Sequence, residues 1–139
     1  MSSSVFFATM SSGVFLLVGL ISGVWKFRAI MASAEHRAPT YVDIAHRASL
    51  MYSFAALVLG KLAESSALPE AVNVGAVAVP VFFFAVAIGT YIRLGFTRET
   101  DNQYERRTFT TTTGTWLLAI GELAGVVVLL VGFVLGRLQ

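Results

Sequence analysis

Four long apolar stretches, each bounded by polar or charged residues, dominate the chain: Val5–Val24, Ile44–Leu62, Ala71–Leu94 and Thr115–Gly136. Each approaches the ~20 residues that carry an α-helix across a hydrocarbon core of ~30 Å. None shows the two-residue alternation that lipid-facing strands require, which sets aside a β-barrel. Pro80 falls inside the third stretch, and because membrane helices tolerate a proline the pattern predicts one bent span there. The expected fold class is all-α, an integral membrane four-helix bundle, with residues 1–139 forming a single transmembrane domain.

The first stretch also invites reading as a signal peptide, since Ala32-Ser33-Ala34 resembles a cleavage site. Its apolar run is too long for that, and Lys26 and Arg28 follow the run instead of preceding it. It is expected to be a retained helix.

Composition agrees with a lipid solvent. Hydrophobic residues make up 56% of the chain and charged residues 13%, half the ~25% of an ordinary soluble domain. Mean hydropathy is +0.75. A net charge of +2 and a pI near 9.3 do not point to nucleic acid, because the cations sit between the apolar runs and suit loops facing an anionic leaflet.

Their distribution orients the bundle. Lys26, Arg28, Arg37 and Arg47 cluster at the first connection, and Arg93, Arg98, Arg106 and Arg107 at the third. Only Lys61 and Arg137 lie elsewhere. Cytoplasmic loops carry the excess of Lys and Arg, so connections one and three are expected inside. Both termini then fall on the non-cytoplasmic side of a bacterial inner membrane. Trp25, Tyr41 and Trp116 lie where an interfacial aromatic belt would. Gly19 with Gly23, and Gly121 with Gly125, have the four-residue spacing that lets helix backbones approach, within the chain or between copies. One of Thr110 to Thr113 is expected to cap the fourth helix.

Absent residues narrow the chemistry. With no cysteine there are no thiolates or disulfides, and two histidines are too few for a zinc site. No phosphate-binding glycine loop, His-Glu-x-x-His or nucleophile elbow occurs. Glu122 is the one acidic residue well inside a span, about two turns from its start. An intramembrane carboxylate faces the bundle interior or a cavity; it reads as a proton donor, base or ligand clamp, or as a structural hydrogen-bonder. His46, at the start of the second span, reads as an interfacial residue or as an axial ligand or substrate contact. One imidazole suffices as the proximal ligand of haem iron. His36 reads as solvated. Tyr52 and Tyr91 each read as packing residues or as pocket hydroxyls. His46, Tyr52, Tyr91 and Glu122 all map to the cytoplasmic half of the bundle and are expected to meet there in one pocket. The third connection, Thr97 to Arg107, reads as a solvated loop that would have to fold back to act as a lid.

From Ile44 to the end of the fourth span the chain resembles the styrene oxide isomerase family. The resemblance rests on Ala45-His46 opening the second helix, on the 45 residues from His46 to Tyr91, and on Asn102-Gln103 in the third connection. It implies a homotrimer in which His46 is the axial ligand of haem b. The ferric iron would act as a Lewis acid on a small lipophilic epoxide, with Tyr91 assisting in the pocket. Tyr52 and Phe83 stand where that family has asparagine and aspartate; Glu122 is a candidate replacement for the missing polar group. Ala45-His46-Arg47 is also similar to part of a motif in the membrane-associated eicosanoid and glutathione metabolism proteins, which implies glutathione binding as an alternative. A third reading is a non-catalytic or redox subunit. The partners expected are the lipid bilayer, further copies of the chain and a lipophilic small molecule.

Overall fold

The computed structural model describes residues 1–138. They form α1 (Ser3–Ala32), α2 (Thr40–Glu64), α3 (Glu70–Thr97) and α4 (Thr115–Arg137), with a π-helical turn at Thr110–Gly114 leading into α4. No strand occurs among the described residues. All four helices are long and apolar enough to cross a membrane.

The helices outrun the apolar stretches that predicted them. α1 continues from Val24 to Ala32, through Trp25-Lys26-Phe27-Arg28. Nothing in that segment interrupts the i→i−4 ladder; polarity marks where the lipid would end, whereas helices end where their hydrogen bonds find other partners. α3 runs unbroken through Pro80, as one span, and ends at Arg98, whose left-handed backbone (φ 53°) lets its N–H reach the Leu94 carbonyl.

Contacts between helix ends fix an up-down-up-down order. The start of α1 meets the start of α3, where the Glu70 carboxylate accepts the Ser4 N–H (2.7 Å) and the Ser4 hydroxyl (3.1 Å). One carboxylate thereby sits at two helix N-termini, where partial positive charge favours it. At the opposite end Trp25 stacks on Phe96 at 4.4 Å. α1 packs on α2 and α3, α4 packs on α3 and the flank of α2, and α1 and α4 do not touch. The end with the chain termini and the second connection carries Lys61 and Arg137. The other end, here the basic end, gathers the remaining cations.

Packing within the chain accounts for both glycine pairs. A Cβ at Gly19 would stand 2.6 Å from Leu50 Cδ2, and one at Gly125 would stand 2.6 Å from the Ala76 carbonyl oxygen and 2.5 Å from Pro80 Cγ. Gly121 lies against the Phe83 ring. Farther along, the Gly132 carbonyl accepts the Ala67 N–H at 3.0 Å and ties the second connection to α4. The core between the helices holds Ala8, Phe15, Ala56, Leu59, Val77, Phe84 and Leu129. The outward faces are apolar as well: Phe54 is 73 % and Trp116 72 % exposed, which water would oppose and lipid accommodates.

Two local expectations change. Tyr41 is no belt residue; it is buried, its hydroxyl accepting the Gln103 N–H at 2.6 Å. That bond folds the third connection back over the end of α2. The helix leading into α4 is capped before the predicted threonines: Thr108 Oγ1 accepts the Thr111 N–H, and Thr111 Oγ1 accepts the Thr108 N–H at 2.9 Å. This reciprocal pair satisfies two amides that helix geometry leaves open.

Candidate functional site

α2 presents polar side chains on two faces. Tyr41 and Tyr52 are eleven residues apart, which returns them to within roughly 20° of each other around the helix. Both lie on the side of α3. The Tyr52 ring stacks on Phe84 at 4.3 Å and 13°, and Tyr41 lies 6.0 Å from Tyr91 with rings near-parallel. His46, six residues before Tyr52, is turned roughly 120° from it and lies against α1.

His46 Nδ1 is 2.8 Å from the Gly19 carbonyl oxygen. A carbonyl only accepts, so Nδ1 carries the proton, and in the neutral ring Nε2 keeps its lone pair. The same carbonyl also accepts the Ser22 hydroxyl at 3.0 Å. Gly23 makes room for the ring: a Cβ there would lie 2.9 Å from His46 Cε1. Nε2 has no hydrogen-bond partner among the described residues. A nitrogen donor held by a carbonyl on its far side is the usual arrangement of a metal-ligating histidine. Nε2 is thus the atom that His46 could offer to a metal such as haem iron. Among the described residues no three His, Asp or Glu side chains gather as a multidentate metal site would need.

Nearby charge organises the joint between α1 and α2. Asp43 bridges Lys26 of α1 (2.5 Å) and Arg47 of its own helix (2.8 Å), one turn from His46.

The second group forms where α2, α3 and α4 meet. Tyr52 of α2 stacks on Phe84 of α3, Tyr91 of α3 lies beside Tyr41 of α2, and α4, which carries Glu122, packs on both helices. Glu122 Oε1 is buried and has no hydrogen-bond partner. The helical segment begins at Thr110, so the carboxyl lies about three turns along it and about two turns into its apolar part. Two half-buried phenols and a partnerless carboxyl oxygen in apolar surroundings can donate to, or exchange a proton with, a bound molecule.

Of the four residues singled out by sequence, three come together and His46 stands apart on the far side of α2. His36 is exposed, as expected, with a positive φ of 52°. Three contributors were not anticipated in these roles. Tyr41 carried a signal that pointed to the membrane interface. Gly19 and Gly23 sit at helical spacing but name no partner until α1 and α2 are docked. Compared with known proteins, the chain matches no family model, no curated protein and no solved structure.

Proposed function

We propose that this chain is a haem b-binding protein of the bacterial inner membrane, with His46 as axial ligand. We further propose that it acts as a homotrimeric isomerase on a small, lipophilic, epoxide-like substrate. The observation that supports the reading is the His46 ring, held at Nδ1 by Gly19 with Nε2 unpartnered. The Lys- and Arg-rich end faces the cytoplasm in this reading, with both chain termini outside.

Bound haem would supply a Lewis-acidic iron for an epoxide oxygen. The chain supplies the rest. Gly19 fixes the tautomer and tilt of His46, and Gly23 leaves the ring its space. Tyr52 and Tyr91 offer hydroxyl protons, and Glu122 holds or moves a proton at Oε1. His46 and this cluster occupy different faces of α2, so they serve one substrate only across a contact between copies. The homotrimer is therefore part of the proposal, and the apolar outer faces are its lipid and subunit contacts.

A visible spectrum of detergent-purified protein, expressed with haem supply, tests this. A Soret band is expected, and His46→Ala should abolish it while the helical circular dichroism remains. Wild-type protein without a band would overturn the reading.

A further inference from the structure

α3 and α4 do not stay together along their length. A Cβ at Gly121 or Gly125 would run into Phe83, Val79 or Pro80 of α3. At Gly114, seven residues before Gly121 and so on the same face, it would meet only its own turn, Phe109 O at 3.5 Å and Thr110 Cγ2 at 4.0 Å. The two helices thus splay toward the basic end.

Beside this opening the last turns of α3, the third connection and the π-helical turn line a cavity of about 880 Å³, within the size range of small-molecule sites. Thr90 and Leu94 of α3 line its inner wall, and Arg93, Glu99, Glu105 and Arg106 line its rim. The third connection roofs it, tied down by the Gln103 bond to Tyr41. Neither arginine pairs with a carboxylate among the described residues. Glu105 takes only the Thr100 hydroxyl, at 3.1 Å, and Glu99 has no side-chain hydrogen bond. The lining therefore offers two uncommitted cations and two available carboxylates.

A ligand that answers both signs carries an oxyanion and an ammonium. The planar guanidinium fork suits phosphate oxygens, and carboxylates take N–H donors. Phe109, between the lining residues Thr108 and Thr110, is exposed, and so are Trp116 and Leu117 at the start of α4, as suits a site open to lipid. We propose that this wedge binds the headgroup of a phospholipid bearing a phosphate and a primary ammonium. Arg93 and Arg106 take the phosphate, Glu99 and Glu105 take the ammonium, and the acyl tails leave along the α3–α4 seam. The site is separate from His46 and stands whether or not haem binds.

The test is native mass spectrometry of delipidated protein given matched-chain phosphatidylethanolamine, phosphatidylcholine or phosphatidylglycerol. Phosphatidylethanolamine should be retained best, since the choline head has no N–H donors and the glycerol head no cation. The double variant Arg93→Gln/Arg106→Gln should lose retention about tenfold or more. Glu99→Gln/Glu105→Gln should erase the preference for ethanolamine over choline. Arg98→Gln/Arg107→Gln removes the same charge outside the cavity and should retain lipid like wild type. Melting of each variant without added lipid reports folding separately. Equal retention of the three lipids would overturn the proposal, as would an equal loss in the outside pair. Soluble O-phosphoethanolamine matching the lipid in protecting against thermal unfolding would also overturn it, by removing the tails from recognition.

Discussion

The Pro80 ring of α3 lies against Gly125 of α4, and the Ala76 carbonyl faces the same glycine. The two contacts have one origin. Proline has no N–H, so Ala76 loses its i+4 donor and its carbonyl is left bare in an apolar setting. A glycine opposite lets the α4 backbone close over that carbonyl, near enough for a Cα–H contact. Gly125→Val would place a Cβ 2.6 Å from the Ala76 oxygen, so a loss of about 1–3 kcal/mol is expected from overpacking. Gly75, on the same helix as Pro80, has nothing within 4 Å of its Cβ position. Gly75→Ala should gain about 0.5–1 kcal/mol through helix propensity alone. Denaturant unfolding in one detergent compares them; equal effects would mean that the α3–α4 contact does not govern stability.

The Tyr41–Gln103 bond predicts a loop phenotype. Tyr41→Phe keeps the ring beside Tyr91 and removes only the acceptor of the Gln103 N–H. About 1 kcal/mol should be lost locally, which corresponds to roughly fivefold more open loop. Tryptic cleavage after Arg98, Arg106 and Arg107 should quicken by about that factor. Cleavage at the wild-type rate would show that the connection is held by something else.

The number of helices was legible in the sequence, because a continuous apolar run is a local pattern; the four-residue glycine spacing marked close approach without naming the partner. What failed was whatever depended on a distant partner. Tyr41 lies among polar residues and looked interfacial; its burial comes from a loop sixty-two residues away. Glu70 lies beside a short turn with no local signal of a partner, yet it closes on Ser4. His46 and Tyr52 were placed in one pocket because both lie toward one end of the bundle. Their six-residue separation, read as a rotation of roughly 120°, already put them on different faces of α2.

Glu70 therefore carries a stability prediction of its own. Glu70→Ala removes the acceptor of the Ser4 N–H and hydroxyl together. A loss of about 1–2 kcal/mol is expected, as for other removed helix caps, with faster hydrogen exchange confined to the first turns of α1. Exchange that rises evenly over all four helices would mean the bond holds the bundle and not one helix end.

Glu122 separates structure from chemistry. Its Oε1 is buried without a donor, and such an atom destabilises the fold it sits in. Glu122→Leu should leave the melting temperature equal or higher, and Glu122→Gln should change stability by less than about 0.5 kcal/mol, the range of substitutions that break no contact. Under the proposed isomerase activity both variants should lose turnover at least about tenfold, since positioned proton transfer contributes a hundredfold or more. Strong destabilisation by leucine would instead identify the carboxyl as a structural hydrogen-bonder.

The sharpest probe of His46 leaves the histidine in place. Gly23→Ala puts a methyl group 2.9 Å from Cε1 and 3.1 Å from Nδ1, so the ring must tilt and its bond to the Gly19 carbonyl must lengthen. A carbonyl-anchored ligand histidine depends on that bond for tautomer and direction, and losing such an outer contact costs about ten- to a hundredfold in metal affinity. Under the proposed haem ligation, haem retained through size exclusion should therefore fall in Gly23→Ala, with a Soret maximum shifted from wild type. Gly13→Ala, on the same helix with open space around its Cβ position, should leave both unchanged. If Gly23→Ala keeps its haem and spectrum in full while His46→Ala loses them, the imidazole would bind iron without help from α1. The α1–α2 seam would then have no part in the site.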